Sequence, residues 1–461
     1  MRVAVVEPAG KGGLIHYAYQ LCSALAARGA DVTLVTDRNY ELRHLPHTFR
    51  VDEILELWDP KPSVPPPASE DTAPAAGLNE PSVPAVAVIL NQEGREGVSE
   101  GSAIGNGQRT AQDDARGSPP PAGSIRRAIR RGVRAIRYYR EWLRIAAHLR
   151  RLRPDVVQLG DIRFPFDLIP LLIVRRSSRL LADICHNVRP FAASGRARGL
   201  FHRSRVSAIF YRRIYALFDL VFVHFERNRD EFLATFPLDP DSVEVIVHGN
   251  EGIFAKLRDP GVDARVLRAR LGLRTEDRVV LFFGTLSRYK GTDILLEAFP
   301  SIHRRTGAKL VFAGFPFTDF DLDAEKERAR QLGVDHAVIW LPDYIPSSEI
   351  VAWMELASVV VFPYRAIYQS GALHVPHTFG VPIVASAAGA MTDVIVDGQT
   401  GLLVEPENPD ALATAVIRVL EDDELAARLG SRASADAEDR FGWDRVAGIL
   451  FSRYERELAP R

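Results

Sequence analysis

The sequence predicts an α/β protein of two domains, each built on a parallel sheet. Three observations carry this. Apolar runs of strand length, such as Val3–Val6 and Val279–Phe283, are continuous rather than alternating, as strands buried on both faces require. Each of those two runs is followed by a glycine-containing loop and then a helix-length amphipathic segment, the order of a βα unit. At 461 residues the chain exceeds the size at which one core keeps growing.

The elements follow in order. After Val3–Val6 come Gly10, Gly12 and Gly13. Leu14–Arg28 places Ile15, Ala18, Leu21, Cys22 and Leu25 on one helical face, and Gly29 stops it. Val32–Thr36 is the second strand. This β, glycine loop, α, β opening is Rossmann-like. From Asp59 to Gly123 the chain is rich in Pro, Gly, Ser and Ala and poor in aromatics, so it reads as a disordered insertion, with Val86–Leu90 as a short strand within it. Ser124–Arg153 is an Arg-rich amphipathic helix with Glu141 as its lone acid. Two readings of it stand: a domain helix with a solvated basic face, or a helix lying on an anionic membrane surface. Further strands are expected at Asp155–Leu159, Leu180–Cys185, Leu220–Val223 and Val243–Val247, with a basic helix at His202–Phe218. In the second half, βα units follow Val279–Phe283 at Lys309–Ala313, Val338–Leu341, Val359–Phe362, Pro382–Ala385 and Gly401–Val404. The boundaries expected are 1–250, 251–441 and a terminal helix within 442–461.

Composition narrows the function classes. A formal net charge of −1 argues against nucleic acid as a partner. Cys22 and Cys185 are the only cysteines, so no disulfide framework or cysteine zinc site is expected, and a reducing cytoplasm fits. The first apolar run is too short for a signal peptide, and no run approaches the ~20 apolar residues that span a bilayer.

Ligand chemistry concentrates between Val279 and Ser386. VVLFFGTLSRYKGTDILLEAF puts Arg288 and Lys290 in the loop after a strand, and VVVFPYRAIYQSGALHVPHTFGVPIVAS puts the turn Ser370-Gly371-Ala372 before a helix. Ligands of open α/β sheets sit outside the carboxyl ends of strands, and a helix start attracts phosphate oxygens. Two such turns, one with fixed positive charge, make a seat for a diphosphate. Lys290 is expected in an exposed loop.

With these motifs in order, the chain resembles retaining, nucleotide-sugar-dependent glycosyltransferases of the GT-B fold, in the large family-four group. KGGLIHY resembles the family's glycine-rich loop, ICHNVRP the strand end with its active-site histidine, and VIVHGN the exit from its first domain. FFGTLSRYKG resembles its phosphate loop, the Gln369-Ser370-Gly371 segment the donor-binding region of one branch, and DVIVDGQTGLLVEPENPDAL the closing segment. The resemblance implies two Rossmann-like domains facing a cleft, with acceptor on the first, nucleotide sugar on the second, and the C-terminal helix crossing back. It also implies a glycan or lipid-linked acceptor, a place in polysaccharide biosynthesis, and work without a bound metal or other cofactor.

Residue by residue, His186, Arg288 and Lys290 are the catalytic candidates. Gly284, Ser370, Gly371, Ala372 and Tyr344 are the donor-binding candidates, and Gly12, Gly13 and His16 those for the acceptor. Lys290 and Arg288 would stabilise the leaving diphosphate. A neutral His186 would hydrogen-bond the transferred sugar. The chain departs from the family at Thr285, where arginine is common, and at Ile367 and Val375, where the pattern has glutamates. His248, His374 and His377 have no recognised metal-ligand spacing. Two other readings are a nucleotide-sugar epimerase of the same fold and a non-catalytic binding subunit.

Overall fold

The computed structural model describes residues 1–56, 122–160, 162, 164–186, 188, 205–317, 319–367 and 370–460, and of 122–132, 134, 205 and 206 the backbone alone. The insertion read at 59–123 lies outside these residues, except for its last two, which begin a helix. Gln369 lies outside them as well.

Two parallel sheets organise the chain. The first has seven strands in the order β3-β2-β1-β4-β5-β6-β7. They are β1 (Arg2–Val6), β2 (Asp31–Asp37), β3 (Arg50–Leu55), β4 (Val156–Leu159), β5 (Leu180–Cys185), β6 (Leu220–Val223) and β7 (Val243–Val245). The second has six, ordered β10-β9-β8-β11-β12-β13. These are β8 (Val279–Phe283), β9 (Lys309–Ala313), β10 (Val338–Leu341), β11 (Val359–Phe362), β12 (Ile383–Ser386) and β13 (Leu402–Val404). The predicted apolar runs are strands because their side chains are covered on both faces; β8 and β11 are buried throughout. The sequence reading missed β3. RVDEIL is an edge strand whose charges interrupt the apolar run, and its Asp52 is held by His148 at 2.7 Å.

Eight helices matter below: α1 (Gly13–Ala27), α2 (Ala122–Leu152), α3 (Leu168–Val174), α4 (Arg205–Tyr215), α5 (Thr292–Thr306), α6 (Leu322–Gln331), α7 (Gly371–Thr378) and α8 (Trp443–Leu458). α1 and α8 cover one face of the first sheet; α2, α3 and α4 cover the other. α8 follows the second sheet in sequence yet packs on α1 of the first. Arg28 donates to the Asp444 carbonyl at 3.0 Å, Arg179 to the Leu458 carbonyl at 2.9 Å, and Tyr454 to Gln158.

The strand orders place the functional loops. In each sheet the order reverses once, between β1 and β4 and between β8 and β11. Loops leaving the carboxyl ends of those pairs diverge and open a crevice. The β8 and β11 exits carry Gly284–Lys290 and the approach to Ser370. The β1 exit carries Gly12 and Gly13, and β5, next to β4, ends one residue before His186.

Candidate active site

The β8 exit is built around glycine. Gly284 has φ +119° and donates its N–H to Ala313 at 3.0 Å. A short 3₁₀ turn, Arg288–Lys290, closes with the Lys290 N–H on the Ser287 carbonyl at 3.0 Å. Gly291 follows at φ +68°, where a Cβ would stand 1.9 Å from the Pro363 carbonyl oxygen. Only glycine lets this loop press against the β11 exit.

That pressing buries Lys290, which corrects the expectation of an exposed loop residue. Lys290 is 7% exposed, and its ammonium lies 5.3 Å from the Tyr364 ring centroid and 5.8 Å from that of Tyr289. Burial draws its pKa down from 10.5 to about 8. A Cβ built on Gly284 would stand 3.4 Å from Lys290 Nζ and 3.6 Å from Ala372 Cβ. The β8 exit loop, the lysine and the start of α7 therefore converge. Ser370 is the N-cap of α7, but its hydroxyl makes no capping bond, so the first turn of the helix relies on other acceptors for its N–H groups.

Arg288 goes elsewhere. Its side chain is exposed, and its carbonyl accepts from Arg365 at 2.7 Å. Its charge acts on Glu325 of α6. Burial lifts that carboxyl to about 7, helped by Asp293 and Asp321 and opposed by Arg288 and Arg365. Arg365 grips Asp293, the second residue of α5, through two bonds of 2.8 Å. Tyr344, after β10, is 46% exposed. Burial of its hydroxyl raises its pKa, a Ser347 hydrogen bond lowers it, and the charge of Glu41 raises it further. Glu41 belongs to the first domain.

On the first-domain side, the Gly12 amide is already engaged, donating to Glu41 at 2.7 Å. His16 is 2% exposed, with Nε2 2.8 Å from the same Glu41 oxygen and its ring edge-on to Phe254. Burial raises the Glu41 pKa, but hydrogen bonds from His16 and Gly12 and the charge of Lys11 outweigh it and hold the group below its ordinary value. Gly13 begins α1, with no atom within 4 Å of the place a Cβ would take.

His186 is 5% exposed and heads a row of imidazoles that the sequence reading did not assemble. Its Nδ1 is 3.0 Å from His224 Nε2. His224 lies 5.3 Å from His248, which stacks on His374 of α7 at 4.8 Å and 14°. Tyr17 sets its edge against His186 and His248. Burial draws His186 and His248 down to about 4, so both are neutral at physiological pH. The stacked pair offers ring faces, and among the described residues no group of three or more His, Cys, Asp or Glu could hold a metal.

The row ends beside Glu251, another residue missed from sequence. A Cβ on Gly371 would stand 3.5 Å from Glu251 Oε1, and the Glu251 N–H donates to Thr378 of α7 at 3.0 Å. Burial lifts its carboxyl from 4.5 to about 8, so it carries a proton at neutral pH. The signal available in sequence was HGNE directly after a strand; what was absent was any hint of α7 from the other domain. The two positions where the family pattern has glutamates are apolar in fact as in sequence: Val375 is buried within α7, and Ile367 packs on the core.

Comparison with known proteins agrees with this geometry. Residues 263–436 match the model of glycosyl transferases group 1. The D-inositol 3-phosphate glycosyltransferase of Acidothermus cellulolyticus is 35% identical over 230 residues, 48% of this chain and 50% of that protein. The Corynebacterium glutamicum enzyme of the same name is 29% identical over 248 residues, 52% of this chain and 58% of that protein. The chain thus spans about half the length of the curated relatives it matches. Among solved structures, Anabaena Alr3699/HepE in complex with UDP superposes with a TM-score of 0.62 at 16% identity, covering 99% of this chain and 100% of that one. Sucrose-phosphate synthase from Thermosynechococcus elongatus gives 0.61 at 18%, covering 99% and 98%. At such identities the likeness shows the fold, which is GT-B.

Proposed function

We propose, from the match of residues 263–436 to the model of glycosyl transferases group 1, that this protein moves a sugar from a nucleoside diphosphate to a glycan or lipid-linked acceptor, retaining the anomeric configuration. The observation that carries the reading is the meeting of Lys290 Nζ, Gly284 and Ala372 at the switch point of the second sheet. A diphosphate there meets a partly desolvated ammonium and the opening of a helix. Both are in place before reaction, so they stabilise the charge that grows as the sugar leaves.

In this reading Tyr344 borders the nucleoside, and the acceptor enters over Gly13 and the His16–Glu41 pair. Neutral His186 hydrogen-bonds the transferred sugar. Glu251, protonated beside Gly371, donates to a sugar hydroxyl or a phosphate oxygen. The bond from the anomeric carbon to the diphosphate oxygen breaks, and the acceptor oxygen bonds the same carbon on the same face. The acceptor proton passes to the departing phosphate. No protein nucleophile and no metal are needed, so transfer should survive a chelator.

The relatives' names point to an inositol phosphate acceptor and the solved neighbour to a UDP donor, which sets the order of trial. A melting screen with UDP-, GDP-, ADP- and dTDP-sugars identifies the donor, because a ligand bound only by the folded state raises the transition. Product NMR with a trial acceptor then reads the anomeric configuration. Inverted product sinks the retaining mechanism, and donor epimerised without acceptor sinks transfer itself.

A further inference from the structure

α2, α3 and α4 form a single layer on one face of the first sheet. Trp142, Ile145 and Leu149 of α2, Leu171 and Val174 of α3, and Ile214 and Tyr215 of α4 join one core beneath that face. α3 lies between the other two and touches both. Their outward stripes are therefore on the same side of the domain.

Those stripes are apolar where solvent predicts polar. On α2, Val133, Ile136 and Leu143 stand 55%, 72% and 54% exposed, at helical spacing, with exposed Arg140 on the same stripe. On α3, Ile169 and Leu172 are exposed, with Arg176 one turn further. On α4, Ile209 and Phe210 are exposed, followed by Arg212 and Arg213. Of the large apolar side chains standing exposed among the described residues, all but Val266, Tyr344 and Val396 lie on these three helices. Single exposed apolar residues need no account, but a contiguous set on adjoining helices does.

Charge selects the occupant. Apart from tyrosines and Glu141, the ionisable groups of these helices are arginines and one histidine, and Glu141 is fully buried. A second copy applied to the same face would bring arginine against arginine with no exposed acid of the layer to answer it. An anionic lipid surface supplies the opposite charge and an apolar depth together. Arginines snorkel to headgroups while short apolar side chains reach the acyl boundary. No helix among the described residues is long and apolar enough to cross a membrane, so contact is lateral.

We propose that the α2–α3–α4 layer lies flat on an anionic lipid bilayer. This goes beyond the Arg-rich helix read from sequence, because two further helices share the contact, and it does not depend on the glycosyl-transfer reading.

The test is cosedimentation of the full chain with vesicles of phosphatidylglycerol and phosphatidylcholine, and of phosphatidylcholine alone. Binding to the anionic vesicles is expected, weakening as salt shortens the Debye length below ~10 Å. The triple change I136S, I169S and F210S, on exposed positions, should leave the melting temperature near wild type and weaken binding several-fold. R176Q with R212Q and R213Q, exposed positions as well, should do the same and flatten the salt dependence. Equal partition to both vesicle types, or none to either, overturns the proposal. So does undiminished binding by the I136S/I169S/F210S chain, which would leave α2's basic N-terminal half acting alone. A concentration-dependent dimer abolished by F210S, seen by analytical ultracentrifugation without lipid, would assign the face to self-association instead.

Discussion

Lys290 Nζ lies 3.4 Å from the place a Cβ on Gly284 would take, across a loop that glycine alone permits to fold this tightly. The glycine leaves room and the lysine fills it with charge, so the two act as one unit of the candidate phosphate seat.

Gly284→Ala should therefore harm donor use more than folding. Gly284 sits at φ +119°, where a side chain costs about 1–3 kcal/mol. The added methyl would meet Lys290 Nζ only at ordinary contact distance, so any shift of the loop comes from relief of that backbone strain. A displacement near 1 Å can cost ~10²-fold in rate. Melting and steady-state kinetics should show a modest drop in the first and a loss of at least ~10-fold in donor kcat/KM. Unchanged kinetics would separate Gly284 from the site.

Lys290→Met should cost ~10²–10³ in rate, as loss of a preorganised donor does. Its stability effect has a definite sign. Burial lowers the folded pKa from 10.5 to about 8, so the charged form disfavours folding. The penalty is complete below pH 8 and fades between 8 and 10.5. The methionine chain should melt higher than wild type at pH 7, and the gap should close as pH approaches 10.5. A pH-independent gap would mean that the ammonium is not desolvated. In the wild type, donor affinity should fall above pH 8 as the free lysine loses its proton.

Glu251→Gln tests the protonated carboxyl. Its folded pKa is raised from 4.5 to about 8, so this group's support for folding is complete below pH 4.5 and is lost as pH rises through 8. The glutamine chain should match wild type near pH 4.5 and melt progressively higher than it toward pH 8. Activity at pH 7 should fall by less than ~10-fold, since an amide keeps the donor. A wild-type chain more stable than the variant at pH 8 would show an ionised, paired carboxylate.

Gly249→Ala should loosen the seam where α8 returns to the first domain. A Cβ there would stand 2.2 Å from Trp443 Cε2, and the indole is held by its own bond to the Asn250 carbonyl at 2.8 Å. Overpacking of this kind costs about 1–3 kcal/mol. Hydrogen exchange across Trp443–Leu458 should speed up in step with the loss of stability. Protection unchanged from wild type would show that the seam has slack.

The sequence by itself determined the two sheets, because strands buried on both faces leave continuous apolar runs such as Val279–Phe283 and Val359–Phe362. It also located Gly284, Lys290 and Ser370–Ala372, because loops at the carboxyl ends of such strands follow the runs directly. Edge strand β3 escaped, since a half-covered strand tolerates Asp52 and Glu53. Tertiary structure alone decided the protonation of the site. The burial of Lys290 depends on Tyr364 and on Gly291 meeting Pro363, and that of Glu251 on α7, more than a hundred residues away. The imidazole row needs β5, β6, β7 and α7 together. Local sequence holds the periodicity of each element, whereas desolvation is set by what other elements place around a group, and a single chain segment carries no record of that.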